Sequence, residues 1–175
     1  MKTLSIQQKV YGAIAILSLL VVIAGAVIDH YSTKIAEEAV VMDALARQRM
    51  LTQAMGKAAL SNVSVSEYET AKNIFTQTLQ AAKVGGEFPA DLEMTKMASM
   101  QAIDDSEIQE TLSQLEVDLQ DFEKIVQTRI NAEMNSDSYK KAQENIIAES
   151  NKLRAESNKL VQQYKNNIWL ANQKI

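Results

Sequence analysis

Two arginines stand two residues apart in Ala46-Arg47-Gln48-Arg49-Met50, with Thr52 and Gln53 close behind, and these residue types suit recognition of a small anion. A guanidinium is planar, permanently charged and offers paired N–H donors to an oxyanion, and hydrogen bonds to charged groups are the stronger class. Thr52 and Gln53 would add neutral hydrogen bonds one turn on. In a helix of ~3.6 residues per turn, Arg47 and Arg49 are rotated about 200° from each other, so only one of them can face a given neighbour. Arg49 is expected in the apolar seam, seven residues after Met42 and seven before Gly56, with Leu45 and Thr52 at four and three. Its competing reading is a snorkelling side chain or an internal salt bridge. Arg47 is expected on the surface, solvated or ion-paired.

Few other residues offer chemistry. Without Cys there is no disulfide, thiolate metal site or cysteine nucleophile, and the single His30 cannot build a multi-histidine centre. His30 directly follows an apolar run and is expected to be a solvated interfacial side chain. No metal and no cofactor are expected. No nucleophile–base pair is visible and Gly85-Gly86 reads as a helix stop, so an enzyme is not expected. A net charge of −4 with no basic block argues against nucleic acid as a partner.

The elements that must hold these residues are helical. One Pro and five Gly in 175 residues leave Ala, Gln, Glu, Lys, Leu and Met to dominate, the residues that lose least on entering a helix. Residues 10–28 carry no charge, and 19 of them in a helix span ~28 Å, the thickness of a bilayer core. Lys2 and Lys9 precede this run and Asp29, Glu37 and Glu38 follow it, which places residues 1–9 in the cytoplasm and residues 29–175 outside. A cleaved leader ending at Ala24-Gly25-Ala26 is the alternative to a retained single-pass anchor in the inner (cytoplasmic) membrane; either puts the remainder in the periplasm or outside the cell.

Beyond the membrane, a first helix to about Ser61 is expected to continue the spanning helix without a break. A second starts at a capping box, Ser64 with Glu67 or Ser66 with Glu69, and buries Tyr68, Ala71, Phe75, Leu79 and Ala82. Residues 85–104 show no period and read as an irregular connection in which Met94, Met97 and Met100 pack as helical turns or form a pliable binding surface. Asp104 or Asp105 caps a third helix along Ile108, Leu112, Leu115, Leu119, Phe122, Val126 and Ile130. Ser136 or Asp137 caps a fourth along Tyr139, Ile146, Leu153, Leu160 and Tyr164, where AESNKL at 148–153 recurs at 155–160. Near its end, Trp169 suits a lipid headgroup level or ordinary packing equally well. The fold class expected is all-α, an antiparallel four-helix bundle with an N-terminal transmembrane helix continuous with its first helix.

Residues 40–60, VVMDALARQRMLTQAMGKAAL, resemble the sensory motif that opens the type IV pili methyl-accepting chemotaxis transducer N-terminal domain, the PilJ-type domain, with ARQRMLTQ its most specific part. The likeness continues through FTQTLQAAKVGG, PADLEMTKM, DDSEIQETLSQLEVDLQDF and the Asn-rich last helix, over roughly residues 30–167. The resemblance implies a helical input domain of a chemoreceptor or sensor kinase, related to nitrate/nitrite sensors in which an arginine of helix one from each of two subunits grips the anion. Arg49 matches that arginine. The family pattern is left at Gln53-Ala54-Met55, where a second cationic residue is common.

The function expected is therefore ligand sensing in chemotaxis-type signal transduction: a homodimer binding nitrate or nitrite through Arg49, Thr52, Gln53 and Arg47. The stripe Met42, Leu45, Thr52, Gly56 and the heptad repeat are expected to form the dimer contact. The alternative is a membrane-anchored interaction module that associates with a full-length receptor or other signalling partner and binds no small ligand.

Overall fold

The computed structural model describes residues 6–61 and 65–173. Lys2, with the rest of the segment 1–5, and the capping candidate Ser64 lie outside the described residues, as does the side chain of Lys9. The chain is mostly helical: α1 (Ile6–Leu60), α2 (Val65–Val84), α3 (Ser106–Asn131) and α4 (Asp137–Asn172), with two short strands, β1 (Gly86–Pro89) and β2 (Met97–Met100), between α2 and α3. By internal contacts it divides into two units, residues 1–39 and 40–175.

In the first unit residues 10–33 are exposed throughout, among them Ile14, Leu17, Leu20, Val22 and Ile28. So long an apolar surface in water forfeits roughly 1.5–3 kcal/mol for each large side chain left uncovered. Lipid removes that cost. The helix has a window of mean hydropathy 2.6 and is long and apolar enough to cross a membrane. No glycine or proline lies between Gly25 and Gly56, and α1 is one unbroken helix from Ile6 to Leu60, as expected. By contacts the second unit begins at Val40.

In the second unit, α1 buries Val41, Leu45, Gln48, Leu51, Thr52, Met55 and Ala59 at helical spacing. The stripe expected to meet a second copy is covered by this chain instead: Leu45 and Thr52 are fully buried, and a Cβ on Gly56 would lie 2.9 Å from Ser150 Cβ on α4. The physical reason is that one apolar face per helix is what a single core requires, and at Gly56 that face meets α4 of the same chain.

The expected faces of α2, α3 and α4 are buried, with Phe75, Phe122, Leu112, Leu115, Ile146, Leu153 and Leu160 at the centre. Ile130 is the exception. It is exposed, and Arg129 turns inward, donating to the Leu60 carbonyl and the Tyr139 hydroxyl at 2.8 Å each. Leu60 ends α1, so its carbonyl has no partner within the helix, and the guanidinium supplies one. Tyr139 is itself only half-buried and Trp169 is exposed, so the core ends short of both.

Ion pairs and polar contacts fix the neighbours. Lys83 meets Glu116 at 2.6 Å and Lys72 meets Glu123 at 3.1 Å between α2 and α3. Lys152 meets Asp118 at 2.9 Å, Gln163 donates to Glu107 at 2.8 Å and Asn167 to Asp105 at 2.9 Å between α3 and α4. Residue numbers rise on one helix as they fall on the other, so both pairs run antiparallel. The caps follow chemistry: Asp105 accepts from Glu107 N and Ile108 N, and Ser136 accepts from Tyr139 N. Ser66, the alternative start of α2, lies inside the helix, which begins at Val65.

The connection expected to be irregular, with its methionines in helical turns, is a short β-hairpin set into an otherwise mostly helical chain. Gly85 ends α2 at φ 80, donating to the Ala81 carbonyl at 2.9 Å, and Gly86 follows at φ 131. Gly86 through Pro89 then pair with Met100 through Met97. Phe88, 1% exposed, anchors the hairpin to the core, whereas Met97 is half exposed and Met100 buried. The three methionines therefore form no common surface.

Candidate functional site

Consecutive residues of a helix point about 100° apart, and the segment 47–49 consequently distributes three polar side chains over three environments. Arg47 is largely buried, with 14% of its side chain exposed. Its Nη2 donates to Asp43 at 2.6 Å and its Nη1 to the Pro89 carbonyl of β1 at 3.2 Å, so its charge is matched and its donors tie the hairpin to α1. Gln48 is fully buried, and neither its amide nitrogen nor its amide oxygen has a hydrogen-bond partner among the described residues. Arg49 is exposed on the side of α1 that faces α4.

The expectation of Arg49 inside an apolar seam is corrected by this placement. The interior position belongs to Gln48, and Arg49 stands at the rim of the groove between α1 and α4. There its Nη1 donates to Asn158 Oδ1 and its Nε to the Ala46 carbonyl, each at 3.3 Å. Both bonds are longer than the usual ~2.7–3.2 Å range and both acceptors are neutral. Arg49 forms no ion pair among the described residues, in contrast to Arg47.

Thr52 is buried beneath Arg49, and its hydroxyl donates to the Arg49 carbonyl at 2.8 Å. This bond satisfies the hydroxyl within its own helix, so Thr52 supports the backbone under the arginine instead of reaching a ligand. Gln53 is exposed one turn beyond Arg49, on the same side. The four residues expected to act together are thus divided: Arg49 and Gln53 share the α4 side, Thr52 lies below them, and Arg47 faces the hairpin.

The groove is set by α4. Gly56 against Ser150 brings the helices close, and Arg49 with Asn158 closes the next two turns. Asn158 is a site residue not expected from the sequence, although it is the asparagine of the second AESNKL repeat. The repeat signalled packing through Leu153 and Leu160, and gave no sign that its asparagine met Arg49.

Several cavities lie elsewhere among the described residues. One of about 280 Å³ is lined by Ala58, Tyr68, Val126, Arg129 and Tyr139 among others, and one of about 380 Å³ by Leu51, Ala54, Thr70, Ile74 and Leu92 among others. None of the four expected residues lines either. In the first, burial pushes the Tyr68 phenol above its usual ionisation range, helped by the Glu123 and Glu69 charges, and its hydroxyl has no partner.

No family model matches the chain, and neither any curated protein nor any solved structure does so. A functional reading therefore stands on the residues and their geometry.

Proposed function

We propose that the chain is the ligand-binding input domain of a bacterial transmembrane receptor of the chemoreceptor or sensor-kinase type, with Arg49 as its anion-binding residue. The observation that carries this reading is the contrast between the two arginines of Ala-Arg-Gln-Arg. Arg47 is neutralised by Asp43, whereas Arg49 is exposed and, among the described residues, held only by two long bonds to neutral oxygens. A cation kept in place without a counterion gains most from an incoming oxyanion. The resemblance of residues 40–60 to the PilJ-type motif singles out the same arginine.

In this reading residues 40–173 form an antiparallel four-helix bundle on the outer side of the inner membrane, and α1 both crosses the membrane and carries Arg49. Nitrate or nitrite is the first ligand to test. A second copy docks along the exposed side of α1, around Met50 and Gln53, and brings its own Arg49 to the anion. Binding would favour the arrangement with the arginines closest and shift α1 along its axis.

The experiment is thermal unfolding of the full chain in detergent with increasing nitrate or nitrite. A ligand at ~100 times its dissociation constant should stabilise by ~2.7 kcal/mol. Stabilisation that Arg49→Ala removes supports the reading. Absence of any anion effect favours the second reading, a membrane-anchored interaction module, for which the exposed Met50 and Ile147 are the supporting observation.

A further inference from the structure

Arg49 is not the only unneutralised cation in its groove. Ser150, Arg154 and Asn158 follow one another at intervals of four on α4 and therefore share a side of that helix. The first of them packs on Gly56 and the last accepts from Arg49, so this is the side that meets α1. Arg154, between them, comes level with Thr52 and Gln53, ~6 Å along the helix axis from the level of Arg49. It is exposed and makes no ion pair or hydrogen bond among the described residues.

Among the described residues, acidic groups are absent from this face. Every charged residue of α1 from Ala44 to Leu60 is a cation: Arg47, Arg49 and Lys57. On α4, Glu156 is two residues from Arg154 and hence about 200° around the helix. It pairs with Lys159 at 3.8 Å, and Glu149 pairs with Lys152 at 3.7 Å on the side that meets α3. Two like charges about one turn apart, with neutral Gln53 and Asn158 as the other groove-lining polar groups, repel each other until an anion enters. One negative charge neutralises half of that pair, and two neutralise it all.

We infer that Arg49 and Arg154 of one chain together bind a small dianion in the α1–α4 groove, with Gln53 and Asn158 as neutral donors beside them. The inference rests on Arg49 being the anion-binding residue and adds the ligand's charge and a cationic contact from α4 of the same chain. A dicarboxylate and a tetrahedral oxyanion share the required chemistry. Gln53-Ala54-Met55 carries no charge, and Arg154 supplies a positive charge at that level from α4.

Titration calorimetry of the full chain in detergent tests this with sodium succinate, sulfate and nitrate at one ionic strength. The expected result is that succinate or sulfate binds about tenfold or more tightly than nitrate, and which of the two wins identifies the ligand shape. Arg154→Gln should weaken the preferred dianion by about tenfold or more while changing nitrate by less than about threefold, and Arg154→Lys should restore most of the loss. Arg49→Ala should remove binding of all three. Because Arg154 is exposed, its variants should melt as the wild type does without ligand. Loss of binding in Arg49→Ala with dianion affinity unchanged in Arg154→Gln would overturn the inference and leave the Arg49 reading standing. Unchanged binding in both variants, or no binding by the wild type, would overturn both.

Discussion

At the scale of single residues, the interior of the second unit holds polar groups with unequal support. Gln48 is buried with both ends of its amide unmatched, and Thr111 is buried with an unpartnered hydroxyl. Leaving such groups dry costs about 1–3 kcal/mol each. Gln48→Met keeps the volume and removes the amide, so it should leave stability unchanged or raise it by about 1 kcal/mol in urea denaturation. A loss above about 2 kcal/mol would mean the amide is well bonded in solution. Tyr68 gives a pH-dependent counterpart. Its ionisation is raised in the folded chain, so the folded state holds the proton longer; stability is intact below about pH 10, where the unfolded phenol titrates, and falls above it. The Tyr68→Phe variant should lack that share of the alkaline loss, read as a smaller drop in melting temperature from pH 9 to pH 11. An identical drop in both proteins would contradict the burial argument.

At the scale of elements, α1 and α4 approach closely at Gly56. A methyl group there would lie 2.9 Å from Ser150 Cβ, closer than carbon atoms tolerate, so the two helices must part. Gly56→Ala should cost about 1–3 kcal/mol, and Ser150→Gly in the same chain should recover most of it. Independent, additive losses would place the strain elsewhere. This contact also shows why the sequence was an uneven guide. The faces of α3 and α4 were legible because a run such as Ile108, Leu112, Leu115, Leu119 can be buried only as a helix, and Asp105 and Ser136 are good caps. The hairpin was not: four-residue strands are held by backbone pairing and by one anchor, Phe88, and neither produces a period. The α1 stripe was recognised, but periodicity cannot say whether a face meets another part of its own chain or a second copy. At the candidate site the arginine motif was readable, while the rotation that buries Gln48 and leaves Arg49 at the rim depends on where α2 and α4 pack. Asn158 and Arg154 enter only through that packing.

At the scale of the whole molecule, the apolar exposed run 10–28 and the polar helical unit carry separate expectations. If the run is a retained anchor, protein recovered from the membrane fraction should have the mass of the full chain by intact mass spectrometry. A species beginning near residue 27 would show instead that a leader had been removed. The account's central claim concerns Arg49, and the most direct measurement is nitrate titration calorimetry on the full chain alongside its Arg49→Ala and Arg47→Ala variants. Arg47 serves as the matched control, since its bonds to Asp43 and Pro89 predict a loss of about 1–2 kcal/mol in stability without loss of binding. The account predicts that Arg49→Ala abolishes the binding heat while Arg47→Ala retains affinity within about threefold. Undiminished binding by the Arg49 variant, or equal loss in both, would contradict it.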